Sequence, residues 1–166
     1  LISDNRLEIG KTINAMGQFR SYNKLVNGKS KLMLTVFVRE LYDTMPVTNT
    51  NGIVLTGYVC KPPVYRTTPF NREIADILLA VNRSYNKSDY IPCIAWGRNA
   101  RFAKNLAVGD RILVCGRIQS REYQKRTGDD DIKIMTAYEV SISKLTSCDK
   151  DEEIDVDAEF SFTNAL

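Results

Sequence analysis

At 166 residues the chain is long enough for one domain or one and a half, and its 43% apolar content suffices for a globular core. No apolar run approaches the roughly 18 residues of a membrane span. The absence of histidine removes Ser-His-Asp and Cys-His nucleophiles, and neither common phosphate-binding glycine motif is present. The net charge of +3 is uneven: the last eighteen residues, from Asp149, carry seven acids and one base, whereas the remaining 148 carry 22 bases and 13 acids. A body of net +9 with a tail of net −6 suggests a polyanionic partner for the body.

The chain begins at Leu1 rather than Met, which leaves processing or truncation at the N-terminus open. Its first forty residues recur later. Leu7-Glu8-Ile9-Gly10 followed by Ile13, Gly17 and Ser21 returns ninety-nine positions on as Leu106-Ala107-Val108-Gly109, Ile112, Gly116 and Ser120. Tyr22 closes the first copy and Tyr123, after a two-residue shift, the second. A repeat at fixed spacing signals a repeated structural unit. One copy follows a full domain's worth of sequence and the other only six residues. The spacing therefore predicts one complete domain and the back half of another. Strands are expected from Lys11 and Lys31, with Ile13, Ala15, Gly17 and Phe19 facing in and Gln18, Arg20 and Tyr22 facing out.

The polar segment from Thr44 to Asn51 contains Pro46 and reads as a linker. Gly52 to Cys60 is apolar and β-branched, and Lys61-Pro62-Pro63 ends it because proline cannot donate to a ladder. Glu73 to Asn82 and Tyr90 to Trp96 are the next strands, separated by the polar stretch Ser84 to Asp89. Ala100, Ala103 and Leu106 recur at helical spacing, which places a short helix over Gly97 to Leu106. Arg111 to Tyr123 and Ile132 to Leu145 are the last strands, joined by the turn residues Thr127-Gly128-Asp129-Asp130. Three strands, a short helix and two strands is the layout of a five-stranded OB barrel, an all-β fold that commonly binds oligonucleotides. The four cysteines, Cys60, Cys93, Cys115 and Cys148, lie far apart and form no zinc-ligand spacing, so they read as buried small hydrophobes, and neither metal nor cofactor is expected. From Asp149 the tail lacks any period until Phe160-Ser161-Phe162 and reads as flexible.

Along the strand from Arg111, Ile112, Val114, Gly116 and Ile118 read as a core face. Arg111, Leu113, Cys115, Arg117, Gln119, Arg121 and Tyr123 form the other face, basic at both ends and tipped by a ring. Single strands are held by stacking bases on aromatic rings while cations follow the phosphates. Tyr85, Tyr90, Trp96 and Tyr123 are the candidate stacking residues, each close to arginine or lysine in sequence. Arg66, Arg72, Arg83, Arg98, Arg117 and Arg121 are the candidate phosphate contacts.

A series of segments resembles the bacterial single-stranded DNA-binding proteins. Asn51-Gly52-Ile53-Val54-Leu55-Thr56-Gly57 is similar to their opening strand, and Tyr65-Arg66-Thr67-Thr68-Pro69 to the turn after it. Ile77 to Arg83 resembles their second strand, Tyr90 to Gly97 the third, and Val108 to Tyr123 the fourth. In order and with sensible spacing, the resemblance runs from about Asn49 to Leu145. It implies that Tyr85, Tyr90, Trp96 and Tyr123 stack on bases, three of them Tyr where the family often has Trp or Phe. Further implications are a non-enzymatic, sequence-tolerant coat on single-stranded DNA in replication, repair or recombination, and a cytoplasmic, nucleoid-associated oligomer of typically four OB domains. The acidic tail is a candidate contact for replication and repair proteins, although its Phe160-to-Leu166 tip lacks the family's Pro-Phe.

The expected domains are a partial OB segment at 1–45, equivalent to strands four and five of a tandem-OB variant with its first domain truncated, a complete OB domain at 46–148 and an acidic tail at 149–166. Binding is assigned to the complete domain, with a small contribution from the opening segment. RNA stays open beside DNA, since stacking and phosphate contacts do not read the sugar. An OB-fold assembly protein of the primosome type, acting mainly through protein contacts, is the alternative. A metal-dependent nuclease built on Asp129-Asp130-Asp131 is the enzymatic one, against which those acids read better as a solvated turn.

Overall fold

Alternating apolar residues bounded by turn chemistry dictate strands along almost the whole chain. A computed structural model describes residues 7–42, 51–126, 132–149, 153–155 and 158. They contain β1 (Asn14–Val26), β2 (Lys29–Tyr42), β3 (Ile53–Val59), β4 (Val64–Thr67), β5 (Glu73–Arg83), β6 (Lys87–Trp96), α1 (Gly97–Ala103), β7 (Arg111–Arg126) and β8 (Ile132–Ser147). The chain divides into two compact units, Leu1–Thr50 and Asn51–Leu166. Residues 44–50 of the linker, the turn at 127–130, the acidic trio Asp129-Asp130-Asp131 and most of the tail lie outside the described residues. Among the described residues, no helix is long and apolar enough to cross a membrane.

The second unit is a sheet of order β3-β7-β8-β6-β5-β4 that closes on itself where β3 meets β5 through Tyr58↔Ala80 and Val59↔Leu79. Five strands, β3, β7, β8, β6 and β5, complete the circuit and make a closed barrel, with β4 added to the edge of β5. Most neighbours are antiparallel, whereas β6 and β8 run parallel through Cys93↔Val140 and Ile94↔Ser141. The barrel is filled by Val59, Leu79, Ile91, Ile112, Val114 and Val140, and α1 buries Ala100 and Ala103.

Several expectations are corrected. Residues 65–69, expected as a turn, contribute to a short strand, β4, because Val64 to Thr67 can ladder onto β5 before Pro69 stops it. The helix ends at Ala103, three residues short of Leu106. Leu113 and Cys115, placed on the wet face of β7, are 5% and 0% exposed. Here β7 is held between β3 and β8, and its ladder with β8 is interrupted by a bulge between Cys115 and Gly116, where Ser143 of β8 is the extra residue. A bulge bends and twists a strand, so this stretch has no simple wet side. Cys93 and Cys115 are buried, but Cys60 and Cys148 are partly exposed, lying just past the ends of β3 and β8. Burial pushes the Cys93 thiol far up, with Glu139 adding to it, which keeps it an inert hydrophobe.

The first unit is a β1–β2 hairpin closed by Asn27-Gly28, both in the left-handed region that a two-residue hairpin turn requires. It reproduces the β7–β8 hairpin in detail. The register slips between Met16 and Gly17, ninety-nine positions before the Cys115/Gly116 bulge. Gly17 pairs with Val38 as Gly116 pairs with Ile142, and Ser21 with Leu34 as Ser120 with Tyr138. Of the residues expected to face in, Ile13, Ala15 and Gly17 are exposed and Phe19 is half-buried. Two strands alone supply no second layer to cover them.

Gly116 is set by the backbone crossing it: a Cβ there would be driven into the Ser141 carbonyl. Gly17 meets the Phe37 carbonyl in the same way. Gly116→Ala is expected to lower stability by about 1–3 kcal/mol, the usual cost of forcing extra volume into a packed site, read as a reduced urea midpoint.

Candidate nucleic-acid interface

Residues opposite each other in a ladder share a face. Outward from the barrel, one transverse row is Arg66–Ile74–Trp96 across β4, β5 and β6. The next is Asp76–Ile94–Ser141–Arg117 across β5, β6, β8 and β7. Toward the other end come Tyr58–Ala80–Tyr90 on β3, β5 and β6, and then Ala137–Arg121 and Met135–Tyr123 on β8 and β7. One outer face therefore carries Tyr90, Trp96, Tyr123, Arg66, Arg117 and Arg121. Trp96 and Tyr90 are six residues apart on one strand, about 20 Å at the usual rise. Trp96, Tyr90 and Tyr123 are each roughly four-tenths exposed, so each ring is seated at its base and open on top.

Tyr85 stands at the tip of the β5–β6 hairpin, 94% exposed. Arg83 and Lys87 pair across it, which leaves Ser84, Tyr85 and Asn86 to make the turn. Tyr85 and Asn86 have φ of 62° and 52°. The left-handed region is ordinary for asparagine but costly for a bulky ring. A strained aromatic kept in full contact with solvent points to use rather than packing.

The six candidate arginines divide into two groups. Arg72, Arg98 and Arg117 are exposed and make no ion pair among the described residues. The other three are tied to carboxylates. Arg66 pairs with Asp76, and Arg83 Nε lies 3.0 Å from the Asp89 carboxylate, which is buried. Arg121 Nε donates to Glu139 Oε1 at 2.7 Å, and its Nη2 lies 3.8 Å from Asp76. Gln119 donates to the same Glu139 oxygen at 3.1 Å. Glu139 is 4% exposed, a depth at which an unpaired carboxylate is strongly disfavoured. Held this way, the Arg121 guanidinium lies 5.8 Å from the centre of the Tyr123 ring, within cation–π reach.

Beside Trp96, the Tyr65 hydroxyl donates to Glu73 Oε1 at 2.6 Å, and Arg101 pairs with the other oxygen of Glu73. The Tyr65 hydrogen bond, and then the Arg101 guanidinium, hold the Glu73 carboxyl below its ordinary value against the opposing pull of burial. Lys104 Nζ sits 5.0 Å over the Tyr65 ring. Two aromatic residues of this region escape sequence reasoning. Tyr58 joins the outer face through its pairing with Ala80, a contact that only barrel closure creates. Phe70 is 86% exposed in the Thr68–Arg72 turn, where Thr68 N donates to Arg72 O at 2.8 Å.

Residues 50–146 match the sequence profile described as "Single-strand binding protein family". The chain is 39% identical over 85 residues to "Single-stranded DNA-binding protein 1" of Staphylococcus aureus, covering 47% of this chain and 51% of that protein. To "Single-stranded DNA-binding protein A" of Bacillus subtilis it is 36% identical over 85 residues, covering 47% and 49%. It thus spans about half the length of these curated relatives. The fold resembles the crystal structure of a deletion mutant of the single-stranded DNA binding protein from Thermus aquaticus, with a TM-score of 0.66 at 23% identity, over 91% of this chain and 67% of that one.

Tyr85→Gly is expected to raise stability by roughly 1 kcal/mol, because glycine adopts the left-handed turn without penalty, read as a higher melting temperature. Glu73 has a folded-state value below its unfolded one, so its contribution is full above the ordinary glutamate range and lost as pH falls through the lowered value. Glu73→Gln should flatten that acid limb in melting temperature against pH.

Proposed function

The chain belongs to the single-strand binding protein family, and on that footing we propose that it is a sequence-tolerant, non-enzymatic binder of single-stranded DNA. The observation that carries this reading is the common outer face of Tyr90, Trp96 and Tyr123 inside the matched region. Bases stack on those rings and on Tyr85 at the hairpin tip, because every base offers a π face whatever its identity. Arg72, Arg98 and Arg117 follow the phosphates. Arg66, Arg83 and Arg121, matched by Asp76, Asp89 and Glu139, are held in place beside the strand's path, and Arg121 also holds the Tyr123 ring.

The first unit is best read as strands four and five of a second OB domain, with residues 46–148 the complete one. Matched bulges at Gly17 and Gly116 support this assignment. We place the activity in replication, repair and recombination, in the cytoplasm, with the protein acting as a homo-oligomer and with its acidic tail meeting other proteins.

Fluorescence anisotropy with labelled oligo-dT tests the reading. Trp96→Ala, Tyr90→Ala and Tyr123→Ala should each cost about 1–3 kcal/mol of binding, the worth of one stacked base. Tyr85→Gly should weaken binding while stabilising the fold. Log affinity should fall with log salt, and Arg117→Ala should reduce the magnitude of that slope by roughly 0.7, one phosphate's share on single strands. Salt-independent binding, or wild-type affinity in all three ring variants, would sink the proposal.

A further inference from the structure

The three carboxylates that hold arginines of the barrel are not alike. Asp89 and Glu139 are buried. A carboxylate at that depth needs a cation, so the pairs with Arg83 and Arg121 are conditions of burial. The Asp76 side chain is 35% exposed, open enough for water to solvate it without a partner. Burial therefore does not require its pair with Arg66.

Asp76 stands on the candidate DNA face itself. It is two residues from Ile74 on β5, about 7 Å at the usual rise, and Ile74 lies in the row of Arg66 and Trp96. The row of Asp76 runs through Ile94 and Ser141 to the exposed Arg117. A negative charge thus sits beside the row of one candidate stacking ring and in the row of a candidate phosphate contact. One Asp76 oxygen pairs with Arg66 Nη1, and the other lies 3.8 Å from Arg121 Nη2. Arg66 makes no other ion pair among the described residues. Arg121, by contrast, is anchored on Glu139 at 2.7 Å. The charge of Arg66, whose side chain is 43% exposed, is therefore cancelled by an acid that has no need of it.

We propose that Asp76 loosens the protein's grip on a single strand: it withholds Arg66 from the phosphates and places a negative charge beside their path, so that the strand is bound less tightly and released faster than the rings and cations alone allow. This rests on the reading of the barrel as a binder of single-stranded DNA and concerns how firmly it binds. A phosphate approaching Arg66 meets a neutral pair instead of a cation. An amide in place of the Asp76 carboxylate keeps its size but neither repels a phosphate nor neutralises Arg66, so the guanidinium becomes one more phosphate contact. Arg121 stays on Glu139. The fold loses little, because a partly exposed ion pair contributes little to stability.

The test is a salt titration of labelled oligo-dT binding to the full chain, followed by anisotropy. Asp76→Asn should bind roughly threefold more tightly at low salt, within the worth of one exposed ion pair. The slope of log affinity against log salt should steepen by roughly 0.7, one phosphate's share. Release into excess unlabelled strand should slow in proportion to the gain in affinity. Asp76→Glu, which keeps the charge, should match wild type in all three readouts. Arg66→Ala should change the slope little on its own, yet in the Asp76→Asn background it should remove the whole gain, which identifies Arg66 as the released cation. Unchanged affinity and slope in Asp76→Asn would overturn the proposal. So would weaker binding, which would make Asp76 a support for Arg66 instead. The variants of Trp96, Tyr90 and Tyr123 judge the barrel reading separately. If they bind as wild type while Asp76→Asn still tightens binding, the role of Asp76 stands and the stacking surface fails. Binding by no form of the protein would overturn both.

Discussion

Two residue pairs, Cys93 with Val140 and Ile94 with Ser141, join the two halves of the barrel along the β6–β8 seam. The rest of the outer face depends on this short parallel contact. On one side of it lies the β5–β6 hairpin with Tyr85, Tyr90 and Trp96; on the other, β7 with Arg117, Arg121 and Tyr123. Without the seam the two ribbons would be joined only through β3, which pairs with β7 and β5. With it, the registers align Ile94 with Ser141 and Arg117, and the rings become one surface. Backbone packing beside the seam is close enough that Gly116 admits no side chain against Ser141.

Electrostatics on that surface are more economical than the charge count suggests. Three of the six candidate arginines are held by Asp76, Asp89 and Glu139. Such pairing fixes side chains more than it stabilises the fold, because desolvating both partners offsets much of their attraction. Arg121 is the clearest case: Glu139 sets its position, and that position brings it to Tyr123. At the hairpin tip the logic is reversed. Tyr85 is held in a conformation that costs stability, and nothing in its packing compensates for a ring so exposed.

Much of this was legible in the sequence, for local reasons. Strands β3, β5, β6 and β7 announce themselves through β-branched alternation and stops at Pro62, Ser84 and Gly97. Tyr85 was readable as exposed because polar residues flank it in a turn. Long-range relations were not legible. Asp76 and Glu139 lie far along the chain from the arginines they bind, so no spacing marks Arg66 or Arg121 as paired. Burial of Leu113 and Cys115 follows from closure and from the bulge at Gly116, which strict alternation cannot represent. The repeat was visible as scattered identities, yet its force lies in the ladder. Only the shared bulge shows that Thr35 occupies the place of Glu139 and Phe37 that of Ser141.

The most direct test of a single strand crossing the β6–β8 seam is photochemical cross-linking of the full chain to halogenated oligo-dU, with adducts located by mass spectrometry. Adducts at Trp96 and Tyr90 on one side of the seam, and at Tyr123 on the other, are the expected result. Adducts confined to one side, or absent from all three rings while binding persists, would contradict a common face for the bound strand.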